Sequence, residues 1–85
     1  MNEIVTFTWP YGGTDVLFAC SSDGWKQVKM IQTGESWVTH QVLSPGTYEY
    51  KFIIDGNWFY DVRKPTTNDG FGNHNNVITV SEPTK

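Results

Sequence analysis

The stretch Tyr48–Trp58, YEYKFIIDGNW, constrains the fold of this chain more than any other. Apolar and polar residues alternate from Tyr48 towards Ile54, the two-residue period of a half-buried strand. Asp55-Gly56 follows, and Asp-Gly is a favoured pair for a type I′ hairpin turn. Such a turn sets the register. Ile54 faces Asn57, Ile53 faces Trp58, Phe52 faces Phe59 and Lys51 faces Tyr60. Cross-strand partners share a face of the sheet. Tyr48, Tyr50, Phe52, Ile54 and Phe59 are therefore expected on the core side, with Lys51, Ile53, Trp58 and Tyr60 on the other. Antiparallel sheets commonly leave one face to water. A cation, a tryptophan and a tyrosine side by side on that face suit a flat, polar ligand. Glu49 is expected on the opposite face from Lys51, which would leave that cation unpaired.

The rest of the chain continues the β pattern. Ile4–Trp9 alternates and reads as a strand, ended by Pro10 and the turn signal Gly12-Gly13. Asp15–Cys20 is a second strand, and Ser21–Trp25 (SSDGW) is a loop ending on an aromatic ring. Lys26–Ile31 is a short strand, Gln32–Glu35 a turn, and Ser36–Leu43 another strand. The two faces of that strand cannot be ranked by pattern: Trp37 and Leu43 lie on one, Val38 and Val42 on the other. Ser44-Pro45-Gly46 leads into the central hairpin. Asp61–Asn76 is polar and carries Pro65, Gly70 and Gly72, so it reads as a long loop. Loops of that length in a compact domain are more often functional than idle. Val77–Val80 is a last strand before a polar tail over residues 81–85. Short strands at intervals of roughly ten residues predict an all-β sandwich of about seven to eight antiparallel strands. No stretch has apolar residues at helical spacing, and no α-helix beyond about two turns is expected.

Composition narrows the function. At 85 residues the chain is expected to be one domain, with its core over about residues 4–80. Aromatic residues make up 15%, four of them tryptophan, which exceeds what so small a core needs. Some of that ring surface is therefore expected to face solvent for use. The net charge is -3 with no basic stripe, which argues against nucleic acid and against an anionic membrane surface. No apolar run is long enough to span a bilayer, and MNEIVTFTW lacks the pattern of a secretory signal. Cys20 is the single cysteine, so no internal disulfide forms. That suits a reducing, cytoplasmic setting.

These residues carry a resemblance. FTW near the start, DGW after the second strand, YEYKFIIDGNW, and GNHNNVITV near the end are similar to the glycogen-binding carbohydrate-binding module. That module occurs in the β-subunits of AMP-activated protein kinase, in starch-branching and debranching enzymes and in plant glucan phosphatases. The resemblance covers about Val5 to Val80 and implies an immunoglobulin-like (early-set) sandwich that binds α-1,4-linked glucans without catalysis. The family's sugar-contacting positions fall on Trp25, Lys51, Trp58, Phe71, Asn73 and Asn75. Phe71 stands where the animal kinase subunits have leucine. In the loop before Trp25 the family's glycine and phenylalanine are Cys20 and Ser22, and its two asparagines are Asp23 and Gly24. The implied partners are an α-glucan and an associated kinase, phosphatase or glucan-metabolising enzyme, in the cytoplasm, or in a plastid if the parent is a longer plant or algal protein. The alternative is a protein-interaction module docking onto a kinase or other enzyme subunit, with sugar binding weak or lost.

The residue types suit the ligand. A pyranose has apolar C–H faces that stack on indole or phenyl rings, and a rim of hydroxyls that needs donors and acceptors. Asparagine supplies both, and lysine supplies three donors. Trp9 and Trp37 sit inside strands and read as core. Asn76, next to Asn75, reads as structural. Catalysis is not expected: His40 and His74 lack a Cys or Ser partner in a recognisable arrangement, and no pair of carboxylates is placed for glycoside hydrolysis. No cofactor or metal is called for.

Overall fold

The computed structural model describes residues 2–82, and residues 83–85 of the expected tail lie outside the described residues. Two antiparallel sheets pack face to face. The strands are β1 (Glu3–Trp9), β2 (Val16–Cys20), β3 (Val28–Lys29), β4 (Ile31–Thr33), β5 (Ser36–Leu43), β6 (Gly46–Ile54), β7 (Asn57–Phe59), β8 (Thr66–Asn68) and β9 (His74–Val80). The smaller sheet has the order β1-β5-β4, and the larger has β3-β2-β6-β9-β8, with β7 also paired to β6. The only helical piece among the described residues is one 3-10 turn at Ser21–Asp23. The expected sandwich is present, with two short strands more than the sequence pattern revealed.

The central hairpin has the register its turn demands. Ile54 pairs with Asn57, Ile53 with Trp58 and Phe52 with Phe59. Asp55 and Gly56 both have positive φ, 49° and 86°, as a type I′ turn requires. The Asp55 carboxylate also accepts hydrogen bonds from the Thr14 and Asp15 backbone N–H groups, at 3.1 and 2.8 Å, and so ties this turn to the chain entering β2. Gly13 sits in that entry with φ 109°, and a Cβ there would meet Ile54 Cγ2 at 2.6 Å, so only glycine fits the approach.

The core is aromatic. Phe7 of β1 lies 4.5 Å from Phe18 and 4.7 Å from Tyr50, and Trp9 lies 4.9 Å from Phe52, ring centre to ring centre across the two sheets. These packings use the inner faces that the alternation predicts. On β5 the inner face is that of Trp37 and Leu43, while Val42 points outward and is 63% exposed. Trp9 is core as expected, and its indole N–H donates to the Gly12 carbonyl at 3.1 Å. Trp37 packs against the core with its indole N–H buried and without a hydrogen-bond partner among the described residues.

Three expectations need correction. The strand expected over Lys26–Ile31 breaks at Met30, which is buried and donates its N–H to the Val16 carbonyl at 3.0 Å. There the chain crosses from the larger sheet to the smaller. The polar stretch Asp61–Asn76 is not one long loop, because Thr66–Asn68 pairs with His74–Asn76. Polar strands on a sheet edge lack the apolar alternation by which a strand is read. Finally, Tyr60 does not face Lys51. β7 ends at Phe59, and Tyr60 leaves the strand to stack on His74, with ring centres 5.4 Å apart.

Candidate functional site

The candidate site lies on the outer face of the larger sheet. Alternation and register place Lys51, Trp58 and Asn75 on it together, along with Glu49. Glu49 and Lys51 are two residues apart in one strand and share a face, contrary to the expectation that they point apart. Glu49 is nevertheless occupied elsewhere: its carboxylate accepts from Asn75 Nδ2 at 2.9 Å.

Lys51 marks a junction. Up to Tyr50, strand β6 pairs with β9; from Phe52 it pairs with β7. Lys51 is the residue between those partners. The gap left by the change is closed by Asn76, which is fully buried. Asn76 Oδ1 accepts the Asp61 N–H at 2.7 Å, and its Nδ2 donates to the carbonyls of Asp61 and Pro65 at 2.8 and 3.2 Å. One side-chain amide thus stands in for missing ladder bonds, and the structural reading of Asn76 holds. The buried Asp61 carboxylate accepts from the Tyr11 hydroxyl at 2.8 Å and from the Arg63 N–H at 3.0 Å. The bond to Asp61 raises the Tyr11 pKa above the ordinary tyrosine value by holding the phenolic proton.

Trp58 is 46% exposed, while its cross-strand partner Ile53 is only 4% exposed. An indole half open to water and placed over a dry sheet can serve as a stacking platform. Phe59, expected in the core, lies 6.1 Å from Trp9 but is itself 44% exposed, because the strand carrying it sits at the rim.

Trp25 is half-buried and has φ 68°, a left-handed conformation that is a real outlier for a bulky residue. Surrounding bonds hold it there. Its N–H donates to the Cys20 carbonyl at 2.9 Å, and Asp23 Oδ1 accepts the Lys26 N–H at 3.2 Å. Ser21 Oγ accepts the Glu49 N–H at 3.0 Å and so fastens this loop to β6. Strain of this kind persists where the fold over-determines it, and it concentrates at functional sites.

Phe71 is 89% exposed at the tip of the β8–β9 hairpin. Gly70 and Gly72 flank it, and side-chain bonds cross its loop. Asp69 Oδ1 accepts the N–H groups of Phe71 and Asn73 at 2.7 and 3.3 Å, and Oδ2 accepts from Asn73 Nδ2 at 2.8 Å. The Asp69 N–H donates back to the Asn73 carbonyl at 3.2 Å. These bonds, led by the Asn73 side chain and then the Phe71 N–H, hold the Asp69 carboxyl below the ordinary carboxylate value. These bonds brace the backbone of the tip, and the Phe71 ring projects from it into solvent.

The fold therefore gathers Lys51, Trp58 and Asn75 on one face. It anchors the Trp25 loop to the same strand, and it carries Phe71 and Asn73 on the hairpin that leads into Asn75. Glu49 and Asp69 escaped the sequence reading. Their signals were present: Glu49 lies two residues before Lys51, and Asp69 and Asn73 bracket Gly-Phe-Gly. A hollow of about 370 Å³ also opens between the sheets, lined by Phe7, Tyr50, Phe52, Lys64 and Ile78 among others, but none of the six expected contact residues lines it. A polysaccharide needs an open platform rather than that hollow.

An antiparallel sandwich with exposed rings and oriented amides on one sheet is built as a carbohydrate-binding module. Residues 4–85 match the family described as the glycogen recognition site of AMP-activated protein kinase, and the chain belongs to that family. It is 34% identical over 76 residues to the SNF1-related protein kinase regulatory subunit beta-2 of Arabidopsis thaliana, covering 88% of this chain and 26% of that protein. It is 30% identical over 76 residues to the 5'-AMP-activated protein kinase subunit beta-1 of Sus scrofa, covering 89% and 62%. It is 36% identical over 78 residues to the chloroplastic Protein PTST homolog 2 of Arabidopsis thaliana, covering 89% and 14%. The chain thus spans less than two thirds of the length of each of these relatives.

Proposed function

We propose that this chain binds α-1,4-linked glucans without catalysing their turnover, and that it tethers an associated enzyme to glycogen, starch or maltodextrin. Trp25 and Trp58 supply two platforms for a curved chain. Lys51 donates to ring hydroxyls, Asn73 and Asn75 contact the hydroxyl rim, and Phe71 inserts beside sugars already stacked. The observation that carries this reading is the half-exposed Trp58 on one sheet face with Lys51 and Asn75, in a chain of this family. A kinase complex or a glucan-metabolising enzyme, in the cytoplasm or a plastid, is the partner proposed. The test is an amide-shift titration with maltoheptaose, using cellohexaose as the control. Shifts centred on Trp25, Lys51, Trp58 and Phe71 with maltoheptaose alone support it. Equal response to both sugars, or to neither, overturns it.

A second reading has its own observation. On the outer face of the smaller sheet Ile4 and Val42 pair directly at 73% and 63% exposure, and Ile31 is 66% exposed opposite Val38. No strand position on that face carries Asp, Glu, Lys or Arg. An uncharged apolar face suits docking onto an enzyme subunit. It lies on the opposite side of the sandwich from Trp58, so both readings can hold at once. Charge placed on it by Val42→Glu would release such a partner while leaving maltoheptaose binding intact.

A further inference from the structure

The two asparagines of the candidate site share an arrangement. Asn75 gives one Nδ2 hydrogen to the carboxylate of Glu49 at 2.9 Å. Asn73 gives one to the carboxylate of Asp69 at 2.8 Å. A carboxylate only accepts, whereas an amide has a donating branch and an accepting branch. Rotating either amide by half a turn would set oxygen against oxygen at that distance. The carboxylates therefore fix which branch of each asparagine is turned away from them. That branch is the carbonyl oxygen.

We propose that Glu49 and Asp69 are positioning residues that set the polarity of the sugar-facing amides, so that Asn75 and Asn73 receive glucan hydroxyls as acceptors while Lys51 is the donor. The inference rests on the glucan reading above and deepens it. The site has a built-in order: the ammonium donates and the amide oxygens accept. A ligand hydroxyl that meets either amide oxygen gives its proton. A hydroxyl at Lys51 must offer a lone pair. A vicinal diol, with one hydroxyl donating and its neighbour accepting, satisfies both, and glucose units carry such diols at the 2- and 3-positions. Neither carboxylate is itself required to touch the sugar.

The first measurement needs no ligand. In the free protein, Glu49→Gln is expected to shift the Asn75 side-chain amide resonances and Asp69→Asn those of Asn73, since each asparagine loses a charged acceptor. The second measurement is a double-mutant cycle with maltoheptaose. Glu49→Gln is expected to weaken binding about 2- to 10-fold, the scale of one hydrogen bond, and in combination with Asn75→Ala the losses should not add. The third uses maltosides with one hydroxyl replaced by fluorine, which cannot donate. Wild type should reject fluorine at the position facing Asn75, and Glu49→Gln, whose amide is free to turn, should reject it less. Wild-type affinity in Glu49→Gln, additive losses in the cycle, or unchanged discrimination against fluorine each overturns the proposal while the glucan reading stands. Absence of maltoheptaose binding by the wild-type chain overturns the glucan reading and the polarity with it. That outcome is distinct, because the ligand-free amide shifts would still report the two clamps.

Discussion

Replacing Trp58 with alanine tests the proposed platform. The indole is 46% exposed. A whole tryptophan offers about 250 Å² at most, so about 115 Å² of it faces solvent and is open to a sugar. At about 25 cal/mol per Å², covering all of that surface is worth about 3 kcal/mol. A single pyranose covers about half, which gives about 1.4 kcal/mol, or tenfold in affinity. Loss in Trp58→Ala is therefore expected at about 10-fold for a short maltodextrin, approaching about 100-fold for a chain that wraps the ring. Isothermal titration with maltotriose and maltoheptaose gives both numbers. Stability is a separate readout. The rest of the residue, about 135 Å² by the same measure, is buried beside Ile53, which is 4% exposed, so the mutant should also lose about 3 kcal/mol in urea unfolding. Unchanged maltoheptaose affinity would refute the platform. A chain that does not fold would show that the ring acts as core rather than as a surface for sugar.

Three further outcomes are expected. Asn76→Ala should cost about 2–4 kcal/mol of folding stability, because it strands the buried N–H and carbonyl of Asp61 where β6 changes partner; a urea midpoint within error of wild type would contradict this. Phe71→Ala should weaken long maltodextrins more than short ones through a faster off-rate, and Phe71→Leu should restore most of the loss; equal maltoheptaose affinity of wild type and Phe71→Ala would leave the ring without a role in binding. The hairpin tip should depend on acid: the Asp69 carboxyl is held below its ordinary value of 3.8, so its contribution is complete above that value and fades as pH falls through the lowered one. Amide shifts of Phe71 and Asn73 should titrate in that window and not in Asp69→Asn, and a transition near neutral pH would assign the effect to another group.

Local chemistry determined the frame of this protein. Asp55-Gly56 needs two positive φ angles in succession, which only a few residue pairs accept, so the turn and the three pairings beside it were legible from the chain alone. The alternation of β1 and the inner face of β6 were legible for the same reason, because alternation is a property of neighbouring residues. The outward placement of Trp58 beside Lys51 follows from that register. Tertiary structure decided whatever depends on residues distant in sequence. Thr66–Asn68 is a strand because His74–Asn76 lies beside it, not because of its own side chains. The strand expected over Lys26–Ile31 divides because Met30 still bonds to Val16 of the larger sheet while Ile31 already pairs with Val38 of the smaller. Asn76 is structural rather than sugar-facing because β7 is too short to continue beside β6, and an amide had to fill the gap. Glu49 gained its role in the same way, from Asn75 on another strand, whereas Asp69 meets Asn73 within one turn. A carboxylate in a sequence is a charge with no address, and only the fold brings an asparagine to within 2.9 Å of one and so decides which way that amide must point.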